Sequence, residues 1–298
     1  MFFRNLKVFR LADGFEPSAE ALAEKLSRGQ FQPCAAMEMK SSGWVPPLEN
    51  GGLVHSVNRQ LLLTLRTEQK LLPGSVVRRA AQAKAKEIEA KEGRKPGRRE
   101  MKEIAEGVTA ELLPRAFPSE KHAMVWIDPV NRWMVVDGTS ARADEVIEKL
   151  KLCLEELPLR GLRTALSPSS AMTGWLASNE APAGFSIDRD CELRSNVEEK
   201  ATVKYARHSL DGDEVRQHVA GGKAATRLAM TWNDRVSFVL TESFEVKRLA
   251  FLDLIKEDAL RQAECAEDLF DAEFVLMTGE LARLQADLVT ALGGEAEA

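Results

Sequence analysis

Residues 78–102 read RRAAQAKAKEIEAKEGRKPGRREMK and carry the densest positive charge of the chain. This segment contains ten Lys and Arg residues and four Glu residues, which gives it a net charge of +6, whereas the whole protein carries −5. A positive segment on an acidic protein indicates a polyanionic partner, most commonly a duplex backbone. The segment lacks aromatic residues and Asn, so it suits phosphate contacts better than base recognition. A solvated helix face is the alternative.

Glycines and prolines around this segment predict two helices. The Pro-Gly pair at 73–74 marks a helix start, and GRKPG at 93–97 must interrupt that helix. A second helix is predicted from residue 98 to about 113, where Pro114 ends it. The two form a helical hairpin whose turn, EGRKPGRR at 92–99, is its most cationic point.

The composition is that of an ordinary soluble protein. The chain has 298 residues, 44% hydrophobic and 29% charged, enough for two or three domains. Its four Cys lie far apart without a CxxC pair, which argues against zinc and disulfides and favours a reducing cytosol. Charges at Arg4 and Lys7 interrupt the N-terminus, so no signal peptide is expected, and no segment is predicted to span a membrane.

Alternating and continuous apolar runs predict β-strands outside the helical pair. The predicted strands are residues 6–11, 61–67, 123–128, 132–137, 201–207, 225–232, 235–240 and 246–251. The last three form a meander. GWVPP at 43–47 is predicted to be a rigid turn, and residues 158–184, rich in Pro, Ser, Gly and Ala, are predicted to be a loop.

Capping residues and periodicity predict further helices. Ser18 and Ser140 are expected to cap two helices in the first half of the chain. Asp211 and Glu214 predict a capping box for a short helix. Apolar residues recur every three or four positions through 274–292, which predicts a long C-terminal helix.

These elements predict an α+β fold with a mixed central sheet region. Its predicted parts are an N-terminal α+β part of the body (1–73), a helical tip arm (74–118), a central α+β region (119–200) and a C-terminal β-meander with helices (201–298).

No motif in the chain indicates catalysis. GGKA at 221–224 lacks the first Gly and the Ser or Thr of a phosphate loop. The four His residues do not have the spacing of metal ligands, and no Ser lies in the GxSxG motif of a catalytic nucleophile. Asp128 and Asp137 are a possible carboxylate pair, although turn formation explains them more simply. We therefore predict a protein that is not an enzyme and needs no metal or cofactor.

A second, smaller basic segment is VKYARHS at 203–209. Lys204, Arg207 and His208 flank Tyr205, the only tyrosine of the chain. These side chains are predicted to contact a sugar-phosphate backbone. A polar strand end explains them equally well.

PRAFP at 114–118 holds an aromatic residue between two prolines at the end of the arm. The prolines keep Phe117 out of any helix. Its ring is expected either to pack back on the body or to insert into a partner.

Several strings, taken together, resemble the RdgC family of recombination-associated proteins. They are NLKVFRL (5–11), GWVPP (43–47), LLPRAF (112–117), MVVD (134–137), FVLMTGELARL (274–284) and ALGGEA (291–296). The resemblance runs from end to end in matching order. It implies a ring-shaped homodimer with a positively lined hole that duplex DNA can pass through.

The resemblance also implies roles for particular residues. Phe117, with Arg115 beside it, matches the aromatic contact that closes the ring against the second subunit. Residues 204–208 match a basic segment facing the hole, although Arg207 and His208 stand where relatives have a Lys-Gln pair. The predicted DNA-binding residues are Lys84, Lys86, Lys91, Arg94, Lys95, Arg98, Arg99, Lys204, Arg207 and His208.

The implied function is sequence-independent binding of double-stranded DNA that restrains RecA-dependent recombination, in the cytoplasm and on the nucleoid. The alternative is a regulator that acts mainly by direct contact with RecA or another protein, with DNA binding secondary. Salt dependence of duplex binding separates the two, because only phosphate contacts release counterions.

Overall fold

A computed structural model describes residues 1–195, 201–252 and 265–296. It confirms the α+β class, and its strands form one twelve-stranded sheet in which every pairing is antiparallel. The strands are β1 (Leu6–Leu11), β2 (Lys40–Val45), β3 (Val54–Val57), β4 (Gln60–Lys70), β5 (Pro118–Asp128), β6 (Trp133–Asp137), β7 (Leu159–Gly161), β8 (Phe185–Ser195), β9 (Thr202–Tyr205), β10 (Lys223–Trp232), β11 (Val236–Thr241) and β12 (Glu245–Phe251).

The described residues form seven α-helices. They are α1 (Ala19–Ser27), α2 (Gly74–Glu92), α3 (Arg98–Leu112), α4 (Ser140–Cys153), α5 (Pro168–Ser178), α6 (Asp213–Ala220) and α7 (Ala266–Ala291). Helices α2 and α3 form the arm, and the other five pack on the two faces of the sheet. A 3₁₀ turn, Leu113–Arg115, follows α3. No helix in these described ranges is long and apolar enough to cross a membrane.

The strand order is β2-β4-β5-β6-β1-β12-β11-β10-β8-β9, with β3 beside β4 and β7 beside β1. Strand β1 therefore joins the N-terminal strands to the C-terminal meander. One sheet contains strands from three of the predicted parts, 1–73, 119–200 and 201–298. The boundaries between these parts remain a prediction.

Two cores lie on opposite faces of the sheet. Helices α1 and α4 cover one face of β1, β4, β5 and β6, with Leu26 and Val146 fully buried. Helices α5, α6 and α7 belong to the other core, which extends over β8 to β12. Because β4 lies between both cores, its leucines are buried on both sides, which explains its unbroken apolar run. Within the described residues, the first core contains no residue of β8 to β12.

The helical arm forms as predicted. Helix α2 ends at Gly93, whose φ of +70° is the left-handed conformation that favours glycine. Helix α3 begins after Gly97. The arm is inserted between β4 and β5, whose ends are paired through Lys70 and Pro118.

Two expectations about turns and loops were wrong. Residues 168–178 form α5, because Pro168 occupies the first helical turn, where it is tolerated, and Ser167 accepts a hydrogen bond from the Ser170 amide. GWVPP enters strand β2, because Trp44 is fully buried against α1. Gly43 is required there, since a Cβ would lie 2.5 Å from the Phe31 Cα.

Two predicted helix caps were also wrong. Thr139 is the N-cap residue of α4, while the Ser140 hydroxyl instead donates to the Glu245 carboxylate. Gly212 is the N-cap residue of α6, and the Asp211 carboxylate accepts a hydrogen bond from the Ser209 hydroxyl rather than forming a capping box. In both places a nearby side chain outside the helix competes for the predicted capping group.

Candidate nucleic-acid interface

The turn of the arm is held together by one of its predicted DNA-binding residues. The Arg94 guanidinium donates to both Glu100 carboxylate oxygens, at 2.8 and 3.2 Å, and lies 2.8 Å from Glu92. Glu100 also accepts from the Gly97 amide at 3.4 Å. The hydrogen bond from Arg94 lowers the pKa of Glu100, and the same bond raises the pKa of Arg94. Arg94 therefore has a structural role in closing the turn.

Four other cations of the arm also face carboxylates. The pairs are Lys84–Glu111 (2.5 Å), Lys95–Glu89 (3.9 Å), Arg99–Glu103 (3.2 Å) and Lys102–Glu106 (3.7 Å). All are exposed, and such pairs contribute only about 0–1 kcal/mol. A phosphate can therefore compete for these cations.

The remaining cations of the arm are exposed or half-buried and form no ion pair with any described residue. They are Arg78, Arg79, Lys86, Lys91 and Arg98. Three of them, Lys86, Lys91 and Arg98, belong to the predicted DNA-binding set. These are the arm cations most available to a phosphate backbone, because no internal partner has to be displaced.

The second basic segment lies far from the arm in the sheet. Strand β9 is at the opposite edge from β2 and β4, so the fold of one chain does not bring residues 204–208 next to the arm. Lys204 is exposed and stands opposite Glu192 of β8. Arg207 and His208 are exposed, and their amides donate to the Asp190 carboxylate and the Arg189 carbonyl.

Lys204 belongs to a mixed-charge face that β8 to β12 form on the side away from α5 and α7. A 60 Å³ cavity on this face is lined by Asp190, Cys191, Glu192, Lys204, Tyr205, Arg227, Val239, Lys247 and Arg248. Two of its cations are paired, Lys247 with Glu245 at 2.7 Å and Arg248 with Asp190 at 3.7 Å. Lys204 and Arg227 have no ion pair among the residues described here.

Glu192 separates these two cations. Partial burial disfavours its charge, but the hydrogen bond from Thr226 and the charges of Arg227 and Arg194 lower the pKa of Glu192 overall. The carboxylate therefore stays ionised and offsets part of the positive charge. Burial also raises the pKa of Tyr205, so its phenol stays neutral. This face therefore carries less uncompensated positive charge than the arm.

Sequence analysis missed Arg227, Lys247 and Arg248. Arg227 lies at a register shift in the β8–β10 pairing, and Arg248 has a left-handed φ of +53° directly after Lys247. These strand irregularities bring the three side chains to one face, and the sequence pattern carried no signal for them.

Phe117 does not pack back on the body. Its side chain is 81% exposed, and it follows the 3₁₀ turn directly. Its carbonyl accepts from the Leu71 amide at 2.8 Å, and the Lys70 amide donates to Met39 at 2.9 Å. In the segments that join this end of β2 and β4, four other large apolar side chains are exposed: Met37, Met39, Leu71 and Val76. We call these five residues the apolar patch.

An open groove of about 480 Å³ adjoins the apolar patch at the base of the arm. It is lined by Met39, Leu72, Gly74, Val77, Arg78, Ala81, Gln82, Met101, Ala105 and Thr109. Most of these residues are apolar or small, and they come from α2, α3 and the segment before β2. Exposed apolar surface near an apolar groove is typical of interaction sites.

The RdgC family model, described as "Putative exonuclease, RdgC", matches residues 1–295. The chain belongs to the RdgC family. It is 55% identical over 298 residues to the Recombination-associated protein RdgC of Janthinobacterium sp. (strain Marseille), covering 100% of this chain and 99% of that one. It is 52% identical over 296 residues to the protein of that name from Herminiimonas arsenicoxydans, covering 99% of both chains.

The description of the family model and the names of the relatives disagree on whether the family has nuclease activity. The family model is described as an exonuclease, whereas these relatives are named for recombination. In the three described ranges, no group of three or more His, Cys, Asp and Glu side chains is placed to hold a metal ion. Asp128 accepts from the turn amides of Val130 and Asn131, and Asp137 accepts from the backbone amides of Arg4 and Asn5. Asp128 thus has a turn role, whereas Asp137 ties the end of β6 to the segment before β1.

Replacing the unpaired arm cations tests the interface. The triple variant Lys86→Gln, Lys91→Gln, Arg98→Gln should flatten the log–log salt dependence of duplex binding by about 0.9 for each lost phosphate contact. The control triple Lys84→Gln, Arg99→Gln, Lys102→Gln has the same net charge but removes paired cations, so its slope should change less. Equal slopes for both variants would show that only net charge matters, and an unchanged slope would exclude the arm.

Proposed function

We propose that this RdgC-family protein binds double-stranded DNA without sequence preference, as a ring-shaped homodimer, and thereby restrains RecA-dependent recombination. The observation that carries the proposal is the arm, which presents cations without ion-pair partners among the described residues and has the exposed apolar patch at its base. A charged surface suits phosphate, and an apolar surface beside it suits a protein contact. The protein would act in the cytoplasm on nucleoid DNA.

Binding would be electrostatic. Each lysine or arginine that meets a phosphate releases condensed counterions, which supplies affinity that is independent of base sequence. Arg98 and Lys91, near the turn of the arm, are the residues we expect to contact phosphate first. Lys204 and Arg227 would add weaker contacts from the sheet face, since Glu192 lies between them.

Ring closure would use the apolar patch. Pro118 and the preceding 3₁₀ turn restrict the backbone around Phe117, so presenting its ring costs little entropy. The groove at the base of the arm has the apolar lining and the volume to receive the Phe117 phenyl ring of a second copy. A two-fold axis makes the contact reciprocal, because each subunit carries both the Phe117 side chain and the groove that receives it. A second contact elsewhere on the body would complete the ring.

Restraint of RecA would follow from occupation of the duplex. A closed ring leaves DNA only at an end or by opening, so it remains longer than its contacts alone would allow. The rival function is direct contact with RecA through the same apolar patch. In that case few phosphates would be contacted, and the affinity for duplex DNA would depend little on salt.

The absence of base recognition is tested by competition. Unrelated duplexes of equal length should compete for the protein within about tenfold of one another, because even a single good base contact discriminates by about 1–3 kcal/mol. A fluorescent duplex displaced by unlabelled competitors measures this. A preference of several hundredfold for one sequence would contradict the proposal.

The exonuclease description is tested by incubation with DNA. Purified protein with Mg²⁺ or Mn²⁺ should not shorten end-labelled linear duplex or single strands above background, since the arm and the sheet face bind phosphate without activating water. A cleavage rate that disappears in a Asp128→Asn or Asp137→Asn variant with intact folding would show that the protein is a nuclease.

Removing the exposed ring tests closure. Phe117→Ala should weaken the contact between subunits by about 2–4 kcal/mol, as expected for a buried aromatic anchor. The variant should leave closed circular DNA faster than wild type, with a smaller difference on linear DNA. The matched control is Leu152→Ala, which removes another side chain that is 71% exposed, away from the arm. Identical dissociation from circles by wild type and Phe117→Ala would contradict ring closure.

A further inference from the structure

Three arginines converge on a cavity at the end of β1 away from the arm. The cavity measures about 200 Å³ and is lined by Arg10, Arg160, Gly161, Arg163, Glu295 and Ala296. It lies beside the β5–β6 turn, because the Leu11 amide donates to the Arg132 carbonyl at 3.0 Å. The arm leaves β5 at its other end.

Arg10 is fixed in place. Its side chain is only 14% exposed, and its guanidinium lies 3.6 Å from the centre of the Trp133 ring. One terminal nitrogen donates to the Asn131 carbonyl and the other to the Glu295 carboxylate. Its Nε is buried and has no hydrogen-bond partner within the described residues. The guanidinium is therefore preorganised, and its positive charge is held next to the cavity.

The other two arginines add charge that no described carboxylate balances. Arg160 stands directly opposite Arg10 in the β1–β7 pair, an arrangement of like charges that destabilises a sheet. Arg160 and Arg163 are exposed and form no ion pair in the described ranges. Among the described residues, Glu295 is the only acidic one in the lining, and Arg10 already pairs with it. The described part of the lining therefore has an excess positive charge.

We propose that this cavity binds a phosphate group, contacted directly by Arg160 and Arg163 and attracted also by Arg10. Guanidinium groups match phosphate oxygens with paired hydrogen bonds, and a bound dianion would relieve the repulsion between Arg10 and Arg160. The phosphate belongs either to a nucleic-acid backbone or to a free phosphate or phosphate ester.

The site does not depend on the DNA interface proposed for the arm. Arg10 points to the same face as Leu6 and Val8, which belong to the core shared with α7. The mixed-charge face with Lys204 is on the other side of the sheet. A duplex lying on that face would not reach the cavity, so the two sites are tested separately.

The experiment uses the full chain and inorganic phosphate as the probe. Thermal unfolding is followed during a phosphate titration, with sodium chloride at matched ionic strength as the reference. The wild type should show a saturable rise in Tm, and Arg160→Ser/Arg163→Ser should bind phosphate at least about tenfold more weakly, because each hydrogen bond to a charged group exceeds that factor. The control Arg4→Ser/Arg28→Ser, which removes two exposed arginines without ion pairs, should respond like wild type.

Duplex binding then identifies the source of the phosphate. If Arg160→Ser/Arg163→Ser also flattens the salt dependence of duplex binding, the site holds nucleic-acid backbone. If that slope is unchanged while the phosphate response is lost, the site holds a free phosphate or ester.

Stability without phosphate provides a check on folding. Arg160→Ser should unfold at a temperature at least as high as wild type in chloride, since a like-charge pair is removed. A wild type without a saturable phosphate response, or an equal response in Arg160→Ser/Arg163→Ser, would overturn the proposal.

Discussion

The pairing of β4 with β5 is the constraint on which the arm depends. The ladder runs from Leu61 opposite Ile127 to Lys70 opposite Pro118, and both strands lie between the two cores. The arm is a long insertion between the paired ends, so this ladder fixes where it leaves the body. It also brings Leu71 to Phe117, and with them the apolar patch. A slip of one residue would reverse the faces of both strands and scatter the patch.

Charge is distributed unevenly over this frame. On the arm, half of the cations in residues 78–102 have carboxylate partners and half have none among described residues. The paired ones stabilise the helices and the turn, as Arg94 and Glu100 do, while the others remain available. On the sheet face, Glu192 and Asp190 offset much of the positive charge. The arm thus carries the most cations without described partners, and Phe117 at its base is a highly exposed apolar side chain.

The helical hairpin was predictable because glycine and proline act locally, and Gly93 and Gly97 bound the two helices where expected. The strands of the meander were predictable from alternation. Helix α5 was not, because Pro168 and three serines look like loop composition until Met172 and Leu176 are seen packed in the core. Local sequence does not reveal such long-range burial.

The candidate site was only partly accessible to sequence. The density of charge identified the arm, and the flanking prolines identified Phe117. The ion pairs of the arm depend in part on how α2 packs against α3. Lys84 and Glu111, for example, pair although they are 27 positions apart. Arg227 and the cluster of Arg10, Arg160 and Arg163 depend on strand order and register. Residues distant in the chain meet there, and no single segment contains the signal.

Covalent closure of the apolar contact tests the central claim most directly. Cysteines placed at Ala116 and Ala105, in a chain that keeps Phe117 and has Cys34 and Cys265 replaced by serine, should form a disulfide between subunits if the Phe117 side chain of one subunit occupies the groove of the other. The covalent dimer, formed around closed circular DNA, should remain bound through a high-salt wash and be released when a restriction enzyme linearises the circle. If no disulfide between subunits forms, or if the covalent dimer leaves circular and linear DNA equally fast, the closed-ring account is contradicted.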